Sequence, residues 1–283
     1  MLLLVCEPST SAVEIWTDIG GPDGGRIAKF DSANPGVVTY VGLTGQELSM
    51  DGLDFTSDGT LYGVIDQDLY VVDQETGWAT LLGTDLIDPS EIFFDLSWDP
   101  VTQAMYAIGC PTMDIPKLYQ IDLTQHTATF LGRMYGYPDT FPPGGLATTA
   151  TGVRYTDGYS AIYRLGEPVE DPNDPWVPVE RLPRGEGFTK WFFGGMTIDW
   201  SRDGVCYHAT VNLDSLQTEL WTVNLQTGRG TLVGGIGADP STTILLSAAI
   251  KPVPEPGAAA MVGGLLLLCG RRRFCLAQGV LHA

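Results

Sequence analysis

Four aspartates are the residues whose type and spacing best suit carboxylate chemistry: Asp54, Asp95, Asp99 and Asp199. Each begins or follows a short β-type run. Hydrolysis of a glycosidic bond needs two carboxyl groups at a defined separation across the sugar. Asp54 and Asp199, however, recur at the same place in two copies of a repeat, which a requirement of the fold explains more simply than catalysis. We therefore predict that the chain is not an enzyme, and the alternative is a carbohydrate-active enzyme that uses these carboxylates.

The other reactive side chains do not suggest a site. His126, His208 and His282 are scattered along the chain, and it contains no C-x-x-C, H-E-x-x-H, Walker or G-x-S-x-G pattern. Cys110 and Cys206 fall in different repeats, so we predict two separate buried thiols. We predict neither a bound metal nor a cofactor.

A repeat of short β-type segments organises the chain, and residues 54–83 contain one full copy. Its three parts read D-F-T-S-D-G-T-L-Y, L-Y-V-V-D-Q-E-T-G and A-T-L-L-G, with turn pairs such as Asp58-Gly59 and Thr76-Gly77. The middle part recurs at residues 27–31, 69–73, 118–122, 162–166 and 220–224, and the last part at 38–42, 79–83, 128–132 and 230–234. The last part is degenerate in the fourth repeat. A period of roughly 40 to 50 residues with about four strands is typical of a β-propeller blade.

These repeats predict an all-β fold, a five-bladed β-propeller over residues 13–252. Repeat one begins at its second strand, residues 13–18, and the apolar residues 243–250 match the missing first strand. Joined to the N-terminal blade, this C-terminal strand would close the ring and remove open sheet edges. The alternative is a larger propeller whose upstream blades are missing.

Composition narrows the class of partner. The 283 residues are 44% hydrophobic, enough to bury the core of one domain. Lys and Arg total 15 against 34 Asp and Glu, a net charge of -19, which disfavours nucleic acid as a partner of the folded part.

Residues 1–12 resemble the end of a secretory signal peptide, with an apolar run followed by small polar residues. The basic start of such a peptide is absent and the apolar run is short. We predict a remnant whose true start lies upstream of Met1, and the alternative is a frayed apolar N-terminus.

Residues 253–274 contain a proline-glutamate-proline box, an apolar run and an arginine cluster, in that order: Pro254, Glu255, Pro256, then residues 257–270, then Arg271, Arg272 and Arg273. This segment resembles the PEP-CTERM sorting signal of bacterial exported proteins. The resemblance implies recognition by an exosortase-type membrane enzyme and display at the cell surface or in the extracellular matrix. Residues 275–283 form a tail that the family pattern usually lacks.

The apolar run predicts a short C-terminal hydrophobic helix that anchors the chain transiently in the membrane. Arginines at its end would leave the propeller on the outer side. Its 14 residues span about 21 Å as a helix, against a hydrocarbon core of about 30 Å, so local thinning or snorkelling would be needed.

Long loops on one face carry the residues that we predict to bind a ligand: Tyr135, Tyr137 and Trp191. Loops on a rigid scaffold concentrate binding, and amphipathic aromatic rings suit stacking on an extracellular polysaccharide or a peptide. The alternative is that these aromatics pack beneath the loops or plug the channel. The sequence thus favours an exported propeller that binds a ligand or serves as a structural component.

Overall fold

The computed structural model describes residues 12–21, 23–111, 115–137, 143–158, 161–182, 191–192, 195–198, 204–212, 214–237 and 247–252, with the side chains of 191–192 excepted. All regular structure in these ranges is β, and it forms five antiparallel sheets within the compact unit Met1–Pro252. The predicted all-β, five-bladed propeller is therefore confirmed. Within the described ranges there is no helix with the length and apolar character needed to cross a membrane. The predicted N-terminal remnant, apart from Ala12, and the predicted sorting segment and helix lie outside them.

The strands of the five blades follow one another along the chain. Blade 1 contains β1 (Glu14–Gly21), β2 (Gly24–Asp31) and β3 (Asn34–Leu43). Blade 2 contains β4 (Gly52–Phe55), β5 (Leu61–Ile65), β6 (Asp68–Val72) and β7 (Ala79–Gly83). Blade 3 contains β8 (Glu91–Asp99), β9 (Ala104–Pro111), β10 (Lys117–Asp122) and β11 (Thr127–Arg133). Blade 4 contains β12 (Leu146–Thr148), β13 (Arg154–Asp157), β14 (Ile162–Leu165) and β15 (Val179–Arg181). Blade 5 contains β16 (Trp191–Phe192), β17 (Met196–Ile198), β18 (Cys206–Asn212), β19 (Thr218–Asn224) and β20 (Arg229–Gly235), and β21 (Ala249–Ile250) joins blade 1.

The D-x-x-T-G sequence of residues 73–77 makes the tight turn between the third and fourth strands of blade 2. Oδ1 of Asp73 accepts hydrogen bonds from the amides of Glu75 (2.9 Å) and Thr76 (2.8 Å). Gly77 has a φ of 78°, a conformation that glycine adopts without steric cost. Asp122 caps the same turn of blade 3 through the amides of Thr124 and Gln125.

Apolar side chains fill the interfaces between neighbouring blades. Between blades 1 and 2, Trp16 packs edge-on against Phe55, with ring centroids 5.8 Å apart. Four further clusters of buried residues complete the described core. Cys110 and Cys206 are both buried and form no disulfide, as predicted.

The glycine that ends each A-T-L-L-G segment lies against the next blade. A β-carbon added at Gly42 of blade 1 would overlap the carbonyl oxygen of Thr76 in blade 2. A β-carbon at Gly83 would lie 2.9 Å from His126 in blade 3, and one at Gly132 would lie 2.7 Å from Trp176 in blade 4. The repeated glycine is therefore a close-approach position between blades as well as a strand end.

The five innermost strands contact one another in a ring, β21 to β4 to β8 to β12 to β17 and back to β21. Ala249 and Ile250 pair with Trp16 and Ile15 of β1. The rest of the predicted closing strand, residues 243–246, lies outside the described residues. Closure by that full C-terminal strand stays a prediction.

Candidate functional site

Two of the predicted carboxylates, Asp54 and Asp95, bridge neighbouring blades through main-chain amides. Oδ2 of Asp54 in blade 2 accepts a hydrogen bond from the amide of Trp98 in blade 3 (2.7 Å), and Oδ1 accepts one from Phe55 (2.8 Å). Oδ2 of Asp95 in blade 3 accepts one from Leu146 in blade 4 (2.7 Å), and Oδ1 accepts one from Leu96 (2.8 Å). Each carboxyl group thus accepts one hydrogen bond from an amide of its own strand and one from an amide of the next blade.

Two aspartates of second strands, Asp18 and Asp157, bridge blades in a similar way. Oδ2 of Asp18 in blade 1 accepts from the amide of Met50, just before blade 2 (2.8 Å). Oδ2 of Asp157 in blade 4 lies 2.9 Å from Nε2 of His208 in blade 5, and both residues are buried. We call Asp18, Asp54, Asp95 and Asp157 the clasp aspartates.

Asp18, Asp157 and His208 are not among the site residues predicted from the sequence. The sequence does contain a signal for the two aspartates, which occur in the pairs Thr17-Asp18 and Thr156-Asp157. Each is a charged residue inside an apolar strand, and such a residue needs hydrogen-bond partners. The threonine of each pair also bonds the chain that leads into a first strand. Thr156 Oγ1 donates to the carbonyl of Gly145 (2.7 Å), and Thr17 Oγ1 donates to that of Ser247 (2.7 Å).

Burial raises the pKa of Asp18, Asp54 and Asp95. Desolvation raises the pKa of Asp18 to about 6 and that of Asp54 to about 7, against the partial compensation of the amide hydrogen bonds. Desolvation also raises the pKa of Asp95 well above its ordinary value, and the nearby carboxylates of Asp54 and Asp157 add to this effect. A carboxyl group that is buried and bonded through both oxygens to the main chain is suited to holding blades together rather than to reaching a sugar.

Asp99 is also engaged in the fold. Its Oδ1 accepts from the amides of Val101 (2.8 Å) and Thr102 (3.2 Å), which shapes the turn between β8 and β9. Its Oδ2 accepts from Nη2 of Arg154 in blade 4 (3.1 Å), and both side chains are buried.

The predicted equivalence of Asp54 and Asp199 is wrong, although Asp199 itself lies outside the described residues. Asp54 pairs with Tyr62 across β4 and β5, whereas Tyr207 of β18 pairs with Thr197 of β17. The position equivalent to Asp54 in blade 5 is therefore Thr197. The mismatch arises because the link from β17 to β18 is longer than the link from β4 to β5, which an ungapped alignment of the two repeats hides.

The predicted ligand-binding aromatics have different surroundings. Tyr135 is 40% exposed, and its hydroxyl donates to Oδ2 of Asp174 (2.6 Å). Tyr137 is half-buried and packs against Tyr163, with ring centroids 5.1 Å apart, and its role in ligand binding stays a prediction. The side chain of Trp191 lies outside the described residues, although its backbone forms part of β16.

The described residues include no group of three or more His, Cys, Asp or Glu side chains that could hold a metal ion. Asp157 and His208 form a buried pair, in which the amides of Gly144 and Gly145 bind Oδ1 of Asp157 and the imidazole contacts Oδ2.

Comparisons with known proteins found structural similarity alone. No protein-family model and no curated protein matches the sequence. Among solved structures, a candidate gluconolactonase is 11% identical, with a TM-score of 0.48 over 80% of this chain and 82% of that one. TolB from Acinetobacter baumannii is 14% identical, with a TM-score of 0.46 over 85% of this chain and 67% of its own. Identities this low say nothing about activity.

Proposed function

We propose that this chain is an exported β-propeller, displayed at the cell surface or in the extracellular matrix, that binds a ligand or builds structure without catalysis. One observation supports the non-catalytic part above the others. Asp54 and Asp95, the best carboxylate candidates in the described chain, each use both oxygens on main-chain amides, one of them in the next blade.

The resemblance of residues 253–274 to a sorting signal supports the export part. The Pro-Glu-Pro box, the apolar run and the arginines would present the chain to an exosortase-type enzyme with the propeller on the outer side of the membrane. The partner of the displayed domain would be an extracellular polysaccharide or peptide.

A glycosidase-like enzyme is the second candidate, because one observation favours it. Burial raises the pKa of Asp54 to about 7, and a carboxylic acid that keeps its proton near neutral pH can serve as a general acid. The hydrogen bonds of Asp54 to Phe55 and Trp98 oppose that role, since a general acid must be free to contact the leaving group.

The proposed recognition of residues 253–274 by an exosortase can be tested directly. In a host with an exosortase, the chain with a complete signal peptide added should first associate with the membrane and then lose its C-terminus near Pro254, Glu255 and Pro256. Alanine at all three positions should leave the full-length form in the membrane. Intact-mass spectrometry of the mature protein measures both outcomes.

The matched control is a triple alanine variant of the tail, at Gln278, Gly279 and Val280, which should be processed like the wild type. An identical mature C-terminus with and without the Pro-Glu-Pro box would show that the resemblance is misleading.

A further inference from the structure

A cavity of ≈ 650 Å³ lies between blade 3 and the connection from β14 to β15. Its blade 3 wall includes Tyr106 of β9, Gln120 of β10 and Thr129 of β11, which are cross-strand neighbours in register. Arg154 of blade 4 also lines it, and residues 167–175 form the opposite wall. Small-molecule sites commonly occupy about 300–1,000 Å³, so this cavity is large enough for a ligand of several rings.

The outer wall is tethered to blade 3. The amide of Arg133 donates to the carbonyl of Pro175 (3.0 Å), and the amide of Val177 donates to the carbonyl of Arg133 (2.8 Å). Asp174 accepts the hydroxyl of Tyr135 (2.6 Å) and lies 3.4 Å from Nε of Arg133. Pro168, Pro172 and Pro175 restrict the same segment. The cavity is therefore preformed, which lowers the entropic cost of binding.

The floor of the cavity holds a buried guanidinium group. Arg154 is 4% exposed, and its guanidinium carbon lies 3.9 Å from the ring centroid of Tyr106. Its Nη2 donates to Asp99, whereas its Nε is buried without a hydrogen-bond partner among the described residues. A buried donor without a partner is costly, so a ligand or a water that accepts from it would be stabilised.

The charges around the cavity disfavour an anion, and its unpartnered donor favours a ligand that carries acceptors. Asp99 already compensates the charge of Arg154, so the floor does not require an anion. The carboxylates of Glu167, Glu170 and Asp171 on the outer wall repel an anion. An ammonium cation is attracted to these carboxylates, but it offers no acceptor to Nε of Arg154 or to the amide group of Gln120. A neutral ligand that offers both donors and acceptors satisfies the carboxylates, the amide of Gln120, the hydroxyl of Thr129 and the guanidinium group together.

We propose that this cavity, the blade 3 cleft, is a binding site for neutral saccharides. The proposal rests on the proposed binding function and names its site and its ligand class. Sugar hydroxyl groups both donate and accept, and they carry no charge for the acidic wall to repel.

The test is isothermal titration calorimetry of the full-length chain with four neutral tetrasaccharides: cellotetraose, maltotetraose, mannotetraose and chitotetraose. Tetragalacturonate and tetralysine serve as the anionic and cationic probes. We expect at least one neutral probe to bind, and Gln120→Leu to weaken it at least tenfold, because the half-buried amide is replaced by a side chain of similar size. Gln226→Leu, on an exposed turn of blade 5, is the matched control and should bind like the wild type.

Three results would overturn the proposal: binding of a charged probe in preference to every neutral one, binding of none of the six probes, or a neutral probe whose affinity Gln120→Leu leaves unchanged. The last result would move the site elsewhere and leave the binding function standing. A different result, the release of reducing ends from a bound saccharide, would contradict the non-catalytic function proposed above.

Discussion

Replacing Asp95 by alanine is expected to lower the free energy of unfolding by about 2 to 6 kcal/mol, because two buried amides lose their acceptor at about 1–3 kcal/mol each. The amides belong to Leu96 and, across the blade interface, to Leu146. Urea unfolding at pH 5 measures the effect. Burial raises the pKa of Asp95 well above its ordinary value, so a mildly acidic pH reduces the part of the cost that comes from a buried charge.

Two further variants separate this effect from general sensitivity to substitution. Asp95→Asn keeps one oxygen as an acceptor and should be less destabilising than alanine. Glu75→Ala, on an exposed turn of blade 2, should change the free energy of unfolding by less than about 0.5 kcal/mol. Equal unfolding midpoints for Asp95→Ala and Glu75→Ala would contradict the clasp role.

The stability of the protein is expected to fall as the pH rises from about 4 through about 7. The pKa of Asp18 is raised to about 6, and those of Asp51 and Asp54 to about 7, from 3.8, chiefly by desolvation. A group with a raised pKa in the folded state contributes stability that is fully present below its unfolded pKa. That contribution is lost as the pH rises through the folded pKa. For Asp54 alone the loss is at most about 4 kcal/mol, from about three pKa units at 1.36 kcal/mol each.

Exposed turn aspartates act in the opposite direction at lower pH. Hydrogen bonds from Thr56 and Thr60 lower the pKa of Asp58, and amide hydrogen bonds lower those of Asp73 and Asp122. Their contribution is present above the unfolded pKa and is lost as the pH falls through the lowered value. The stability maximum should therefore lie near pH 4, close to the unfolded pKa shared by both sets of groups.

Chemical denaturation of the wild type and Asp54→Asn at several pH values between 4 and 8 tests this dependence. The net charge of -19 also weakens the fold as carboxylates ionise, but it does so in both proteins, so the difference between the two curves isolates Asp54. The variant should lose less stability over this range than the wild type. Parallel curves, or stability that rises from pH 4 to pH 7, would show that Asp54 is not the buried acid described above.

The strand repeats could be predicted from the sequence because each blade repeats its turn chemistry and its alternation. The sequence alone predicts the D-x-x-T-G turn around Asp73 and the strand that ends at Gly83. The same similarity between repeats gave a wrong equivalent for Asp54 in blade 5. The match of Asp199 to Asp54 assumed equal hairpin lengths, whereas Thr197 has the equivalent pairing. Hairpin length is set by the loop, which the repeat does not constrain.

The blade 3 cleft was harder to predict because its residues come from different blades. Arg154 and Tyr106 stack across an interface that no repeat marks, and Arg154 meets Asp99 only after the blades pack. The packing of Tyr137 could not be predicted either, because an aromatic residue in a long loop is as suited to packing against Tyr163 as to binding a ligand. Local sequence shows that a residue is aromatic, and tertiary packing decides what its ring contacts.

The most direct test of the non-catalytic account measures binding and turnover in one sample. The full-length chain is incubated with a neutral polysaccharide selected on a glycan array, and bound protein and released reducing ends are followed together. We predict saturable binding without release of reducing ends, for the wild type and Asp54→Asn alike. Reducing ends that the wild type releases and that a folded Asp54→Asn variant does not would contradict the account and establish the enzyme.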